Sequence, residues 1–399
     1  MKNTRRWLAL LLAALMVLAL AACGKQDQPG SDGQDVPGQE ETENNNNEEN
    51  TTPDTPEAPE TRTVTDQAGA EVTVPGQIDR VAIISPVPLA SVYSMMTGEA
   101  DTIVGLTPAS KNAAVHSFLS RLRDFSDVET SFAQGETVNV EAVAALEPDV
   151  VFYNTVNAAD AEAAAQLTQQ GIPCVGFSTG VSKTGDTIAT FTSWATLMGQ
   201  VLGQETRAQA LADYGAAAVQ MVQERVSAVE SPAKKALILN NYTNTTILAA
   251  GNTFGTYWLT TCGAENVASG IEKPAAPVDL EQIYAWNPEI ILLNSFSAYT
   301  PEDIINSTAG EGQDWSGIQA VQDGQVFKFP LGVYYWFAPC SDSPLALQWV
   351  AKTLYPEFFE DVDLDQVICD YYSEYYGIEL TQDDLATLYA PPAESAMGK

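Results

Sequence analysis

The chain has 399 residues, with 18 Lys+Arg against 52 Asp+Glu, one His and a formal net charge of −34. That balance excludes nucleic acid as a partner, because a phosphate backbone needs a clustered cationic surface. A single imidazole, His116, also leaves no His set for zinc chemistry and makes Ser-His-Asp or Cys-His catalysis improbable.

In chain order, Lys2, Arg5 and Arg6 precede an apolar run from Trp7 to Leu20, then Ala21, Ala22 and Cys23. This pattern predicts an export signal over 1–22 rather than a spanning helix. The tetrapeptide LAAC resembles a bacterial lipobox, which implies cleavage before Cys23 and a lipid on its thiol. Residues 24–60 carry eleven acids, one Lys and hardly any large apolar side chain. Such a segment cannot offset its chain entropy by burial, so 23–60 is expected to be a disordered acidic tether. Four further cysteines, Cys174, Cys262, Cys340 and Cys369, show no C-x-x-C spacing. Metal knuckles are therefore disfavoured, and both disulfides and free thiols stay open.

The folded part begins with RTVTDQAGAEVTVP (62–75), which reads as a β-hairpin. The run 81–84 reads as a strand, 89–97 as a helix stopped by Gly98, and 102–105 as a second strand. Layers of this kind predict an α/β fold. VNVEAVAALEPDVVFYN (138–154) recurs as VDLEQIYAWNPEIILLN (278–294), an offset of 140. Each copy predicts an Asn or Asp cap, a short helix, a breaking Pro and an apolar strand. Two copies so far apart predict two lobes of related topology. Between them, 186–229 has helical periodicity weakened at Gly199 and Gly203, which predicts a break or kink near them, and would span about 60 Å if mostly helical. The expected organisation is an N-terminal lobe (61–184), a linking helix (185–230) and a C-terminal lobe (231–399).

The ordered set of hairpin, Asn-x-Glu helix with LEPDVVF, linking helix, ILAAGNTFGTYWLTTCGAENVA (247–268) and second Glu copy resembles the periplasmic binding proteins of the siderophore, haem and vitamin B12 uptake class. The resemblance covers about Arg62 to Leu388. It implies an α/β architecture of two Rossmann-like lobes joined by a long backbone helix, no catalysis, no resident cofactor or metal, and a monomer held outside the cytoplasm by its lipid. It further implies that Glu141 and Glu281, one on each lobe, pair with arginines of an ABC permease dimer that works with an ATPase. The expected cargo is an iron-siderophore or haem-type metal chelate. Corrinoid, or molybdate and tungstate, is the alternative within the class. A chelatase-like enzyme or a surface signalling lipoprotein is the rival from outside it.

In such a fold the loops at the strand carboxyl ends face the cleft between lobes. That places Ser85, Lys111 and Asn154 of the first lobe, and Tyr242, Tyr299, Tyr334, Tyr335 and Trp336 of the second, as candidate ligand contacts. The run of aromatics at 334–337 cannot all enter one core, and flat rings pack large ligands. Cations are sparse there: beyond Lys111, only Arg121 and Arg123 lie near. The acids from Glu357 to Glu394 read as a solvated face, and DVDLD lacks the Gly and Glu of an EF-hand.

Overall fold

A computed structural model describes residues 60–396, apart from 86–87, 136, 183–184, 230–232 and 253. The expected signal, Cys23 and most of the tether lie outside the described residues.

Strands β1 (Thr61–Thr65) and β2 (Glu71–Pro75) form the expected antiparallel hairpin. Asp66 shapes its turn: one carboxylate oxygen accepts from the Ala68 and Ala70 amides at 2.9 and 2.8 Å. Then follow β3 (Val81–Ile83), α1 (Leu89–Thr97), β4 (Ile103–Leu106) and α2 (Pro108–His116). Gly98 ends α1 at φ 78°, a left-handed cap that glycine adopts without a Cβ penalty. A two-residue ladder, β5 (Ala133–Gln134) with β6 (Thr137–Val138), leads into α3 (Val140–Ala144). Next come β7 (Val150–Asn154), α4 (Ala158–Gln169) and β8 (Cys174–Phe177). The N-lobe sheet has the order β4-β3-β7-β8 and is parallel throughout.

The linking stretch breaks at Gly203, one of the two glycines where its periodicity weakens, and forms two helices. Helices α5 (Thr187–Leu202) and α6 (Glu205–Val226) are separated by Gly203, at φ 67°. They fold back on each other: a Cβ on Gly199 would lie 2.7 Å from that of Ala208, and one on Gly215 would lie 3.1 Å from Ile188. No 60 Å rod forms; the link is α6, whose 22 residues reach about 33 Å. Near its start Arg207 donates to the Met95 and Tyr375 carbonyls, and near its end Arg225 donates to the Phe358 carbonyl.

The C lobe comprises β9 (Lys235–Tyr242), β10 (Ile247–Ala250), α7 (Phe254–Thr261), β11 (Glu265–Asn266), β12 (Ala275–Val278), α8 (Leu280–Trp286), β13 (Ile290–Leu293), α9 (Pro301–Ile305), α10 (Gln319–Gln322) and β14 (Val326–Lys328). Its sheet has the order β12-β10-β9-β13-β14, parallel along β9-β13-β14. Helices α11 (Ser343–Leu354), α12 (Leu364–Tyr376) and α13 (Gln382–Tyr389) complete the chain. One apolar core runs through both lobes, joining Val81 and Met95 to Trp194, Trp258 and Tyr372.

The repeat holds down to single atoms. Asn139 caps α3 through the Ala142 amide, and Asp279 caps α8 through the Gln282 amide. Glu147 and Asn287, also 140 apart, both take left-handed backbone, at φ 47° and 45°. Asp149 accepts from the Asp79 and Arg80 amides before β3, while Glu289 accepts from the Lys235 amide at the start of β9. The acid of each copy thus fixes its strand against the lobe's first strand. Among the described residues all four cysteines are free thiols: Cys174, Cys262 and Cys340 are buried and Cys369 is half-buried.

Candidate ligand cleft

In each lobe the strand order reverses beside the first strand, and open α/β sheets bind ligands at that reversal. In the N lobe it falls between β3 and β7, at Ser85 and Asn154. Asn154 accepts from the Val156 amide (3.2 Å) and donates to the Thr179 hydroxyl (3.3 Å). Asn157 caps α4 through the Ala159 and Asp160 amides. A cavity of about 320 Å³ opens here, lined by Ile84, Thr107, Pro108, Thr137, Asn157 and Asp160. Ser85 and Asp160 are 0% and 2% exposed, and Ser85 Oγ and Asp160 Oδ2 complete no hydrogen bond. Burial raises the Asp160 pKa, opposed by the nearby Ser85 hydroxyl and Asn154 backbone.

In the C lobe the reversal falls between β9 and β13, at Tyr242 and Asn294. Tyr242 is core: its single hydroxyl hydrogen is shared between the Ala309 carbonyl (2.7 Å) and the Gln313 side chain. The Tyr299 ring lies 4.7 Å from that of Tyr242, tilted by 52°, and its hydroxyl donates to Asn244. Lys328 is buried beneath this loop and donates to the Ser297 and Tyr299 carbonyls at 3.0 and 3.1 Å. Desolvation lowers its pKa to about 8.

The segment 331–337 packs inward. Trp336 is fully buried and donates to Asp342 Oδ2 (2.9 Å), which also accepts from the Val333 amide and the Tyr372 hydroxyl. A Cβ on Gly332 would lie 2.0 Å from that oxygen, so the chain turns here only with glycine. Tyr335 is also fully buried and donates to the Ser395 carbonyl. Tyr334, 8% exposed, lies 5.1 Å from the Tyr335 ring. Phe296, Leu331 and Cys340 join them, together with Ala113 of α2 from the other lobe. Of the candidate contacts, Tyr242, Tyr335 and Trp336 therefore serve the core. Ser85 and Asn154 come together at the N-lobe reversal, and Tyr334 and Tyr299 stand on the C-lobe side.

Lys111 does not present its charge to the cleft, because its ammonium donates to the Ser126 and Val128 carbonyls at 2.9 and 2.8 Å. Arg121 pairs with Asp384, and Arg123 with Asp127 and the Ile103 carbonyl. Among the described residues only Lys235 and Lys273 of the Lys and Arg side chains lack a hydrogen bond; Lys235 opens β9 and Lys273 precedes β12, at the strand ends away from the cleft. Apart from the buried Asp160 carboxyl, the cleft is thus furnished with hydroxyl, amide and aromatic groups. His116 sits on α2 with Nδ1 2.9 Å from the Asn112 carbonyl. Glu141 and Glu281 occupy matching first-turn positions of α3 and α8 and are both exposed. Sequence reasoning missed Asp160 and Asp342; Asn294 was legible as the repeat mate of Asn154 at the start of a cleft loop, though not as a contact.

Two α/β lobes joined by a helical link are the architecture of a solute-binding protein. Residues 81–331 match the family described as periplasmic binding protein, and the chain belongs to that family. It is 31% identical to a periplasmic solute binding protein from Veillonella parvula, over 83% of this chain and 97% of that one, with a TM-score of 0.75. It is 28% identical to the molybdate-binding protein MolA of Haemophilus influenzae, over 82% of this chain and 93% of the relative. The molybdate-bound structure of MolA, described as the cognate binding protein of an ABC transporter, aligns at 25% identity over 80% of this chain and 99% of that one, with a TM-score of 0.67. The family carries solutes for ABC transporters outside the cytoplasm and catalyses no reaction. No helix among the described residues is long and apolar enough to cross a membrane.

Proposed function

We propose that this chain captures a small metal oxyanion, of the molybdate or tungstate type, and delivers it to an ABC permease while held to the membrane by a lipid on Cys23. The observation that carries this reading is the likeness to a molybdate-binding relative across 82% of the chain. The cleft chemistry agrees with it. Neutral hydroxyls, amides and backbone N–H groups bind an oxyanion without a buried counter-charge, and they act at short range in a dry site where dipoles count most. The acidic surface does not oppose this, because at physiological ionic strength its field is screened within about 8 Å.

A metal chelate remains the second reading, favoured by the cluster of Phe296, Tyr334 and Tyr335. Those rings pack edge-on against one another, at 4.9 and 5.1 Å between centroids. Glu141 and Glu281, exposed and equivalent, are the proposed docking charges toward permease arginines. Isothermal titration of the protein with molybdate, tungstate, sulfate, a ferric hydroxamate, haem and cobalamin tests the assignment. Molybdate or tungstate should bind most tightly; preference for a chelate would replace the first reading by the second.

A further inference from the structure

We propose that the Asn294 carboxamide is a ligand-binding donor in the C-lobe half of the cleft, reserved for an acceptor oxygen of the cargo. Asn294 follows β13 directly at the strand-order reversal and is 0% exposed. Its Oδ1 accepts from the Phe296 amide at 3.4 Å, which fixes the orientation of the group. Its Nδ2 has no partner.

The two other asparagine amides compared with it are satisfied. Asn266, 2% exposed, donates to the Ala250 carbonyl and the Thr256 hydroxyl. Asn154, the repeat mate, makes the same turn, with Oδ1 accepting from the amide two residues on, but its Nδ2 finds Thr179. The two lobes thus share one device, and only the C-lobe copy keeps its N–H groups idle. A buried, idle donor is costly, and at the mouth of a strand-order reversal a bound molecule is the partner that would complete it. The missing partner must be an acceptor. A carboxamide N–H suits an oxyanion oxygen or a chelate's carboxylate or hydroxamate oxygen, and discriminates against a cargo that offers only donors or apolar surface there. Because the amide is buried without ligand, cargo entry has to uncover it.

The inference rests on the reading of this cleft as the ligand site. Its test is titration of molybdate into the full chain and its Asn294→Ala, Asn294→Ser and Asn294→Asp variants, with thermal unfolding of each without ligand. Asn294→Ala should weaken molybdate binding at least tenfold, while its ligand-free melting temperature changes little, because losing the weak acceptor of the Phe296 amide is offset by losing an unsatisfied donor. Asn294→Ser should recover part of the affinity, and Asn294→Asp should lose more than the alanine variant. Wild-type affinity in Asn294→Ala overturns the inference alone. Failure of the wild-type protein to bind molybdate or any chelate overturns the ligand reading and this inference with it.

Discussion

At the scale of single residues, Asp342 governs the cleft segment more than any aromatic that follows β14. One oxygen gathers the Val333 amide, the Trp336 indole and the Tyr372 hydroxyl, while the other has no partner. Desolvation raises its pKa to about 6, only partly opposed by those donors. The folded state therefore holds a proton that the unfolded chain releases near pH 4, and stability from this group rises as pH falls from about 6 toward 4. The gain is on the order of 2–3 kcal/mol. Urea unfolding at pH 4.5 and 6.5 should show it in the wild type and not in Asp342→Asn. Equal pH dependence in the two proteins would refute the assignment. None of this was legible in CSDSP, which reads only as a helix start. The sequence predicted that four adjacent aromatics could not all enter one core; all four are buried, but in two separate clusters, and their sorting depends on which of them meets nearby Asp342 or the distant Ser395 and Ala113.

Elements were far more legible, because their signals are local. Gly98 and Gly203 end helices where the pattern predicted a stop or a break, and the caps at Asn139 and Asp279 fall where the repeat placed them. What periodicity could not give was the direction after Gly203: reversal depends on small residues meeting across the turn, Gly199 on Ala208. The left-handed residue before Pro148 and Pro288 was equally hidden, since Glu147 and Asn287 share no side-chain class. Holding a residue such as glutamate at positive φ costs about 1–2 kcal/mol, and glycine's entropy offsets part of the relief. Glu147 is exposed, so Glu147→Gly should stabilise the protein by about 0.5–1 kcal/mol, read as a higher urea midpoint at unchanged slope. A lower midpoint would show that the turn is unstrained.

For the whole molecule, α6 and the shared core make the lobes one body, and the carboxyl end adds a further tie. Asp384 pairs with Arg121, the Leu388 carbonyl accepts from the Leu331 amide, and the Ser395 carbonyl accepts from Tyr335. With lobe spacing held in this way, Glu141 and Glu281 form a fixed pair of charges rather than two independent ones. Charge reversal at both positions should abolish uptake in cells while solute affinity changes less than twofold, by about 0.4 kcal/mol. Lost affinity would instead place these acids in the binding site. The net charge of −34, which first excluded nucleic acid, is carried mainly by the folded part and leaves recognition to neutral groups in the cleft. The most direct test of that claim is titration of the full chain with molybdate. Saturable one-to-one binding at micromolar Kd or tighter, about 8 kcal/mol, is the predicted result. No heat with molybdate or tungstate, together with tight binding of haem, cobalamin or a ferric hydroxamate, would contradict it.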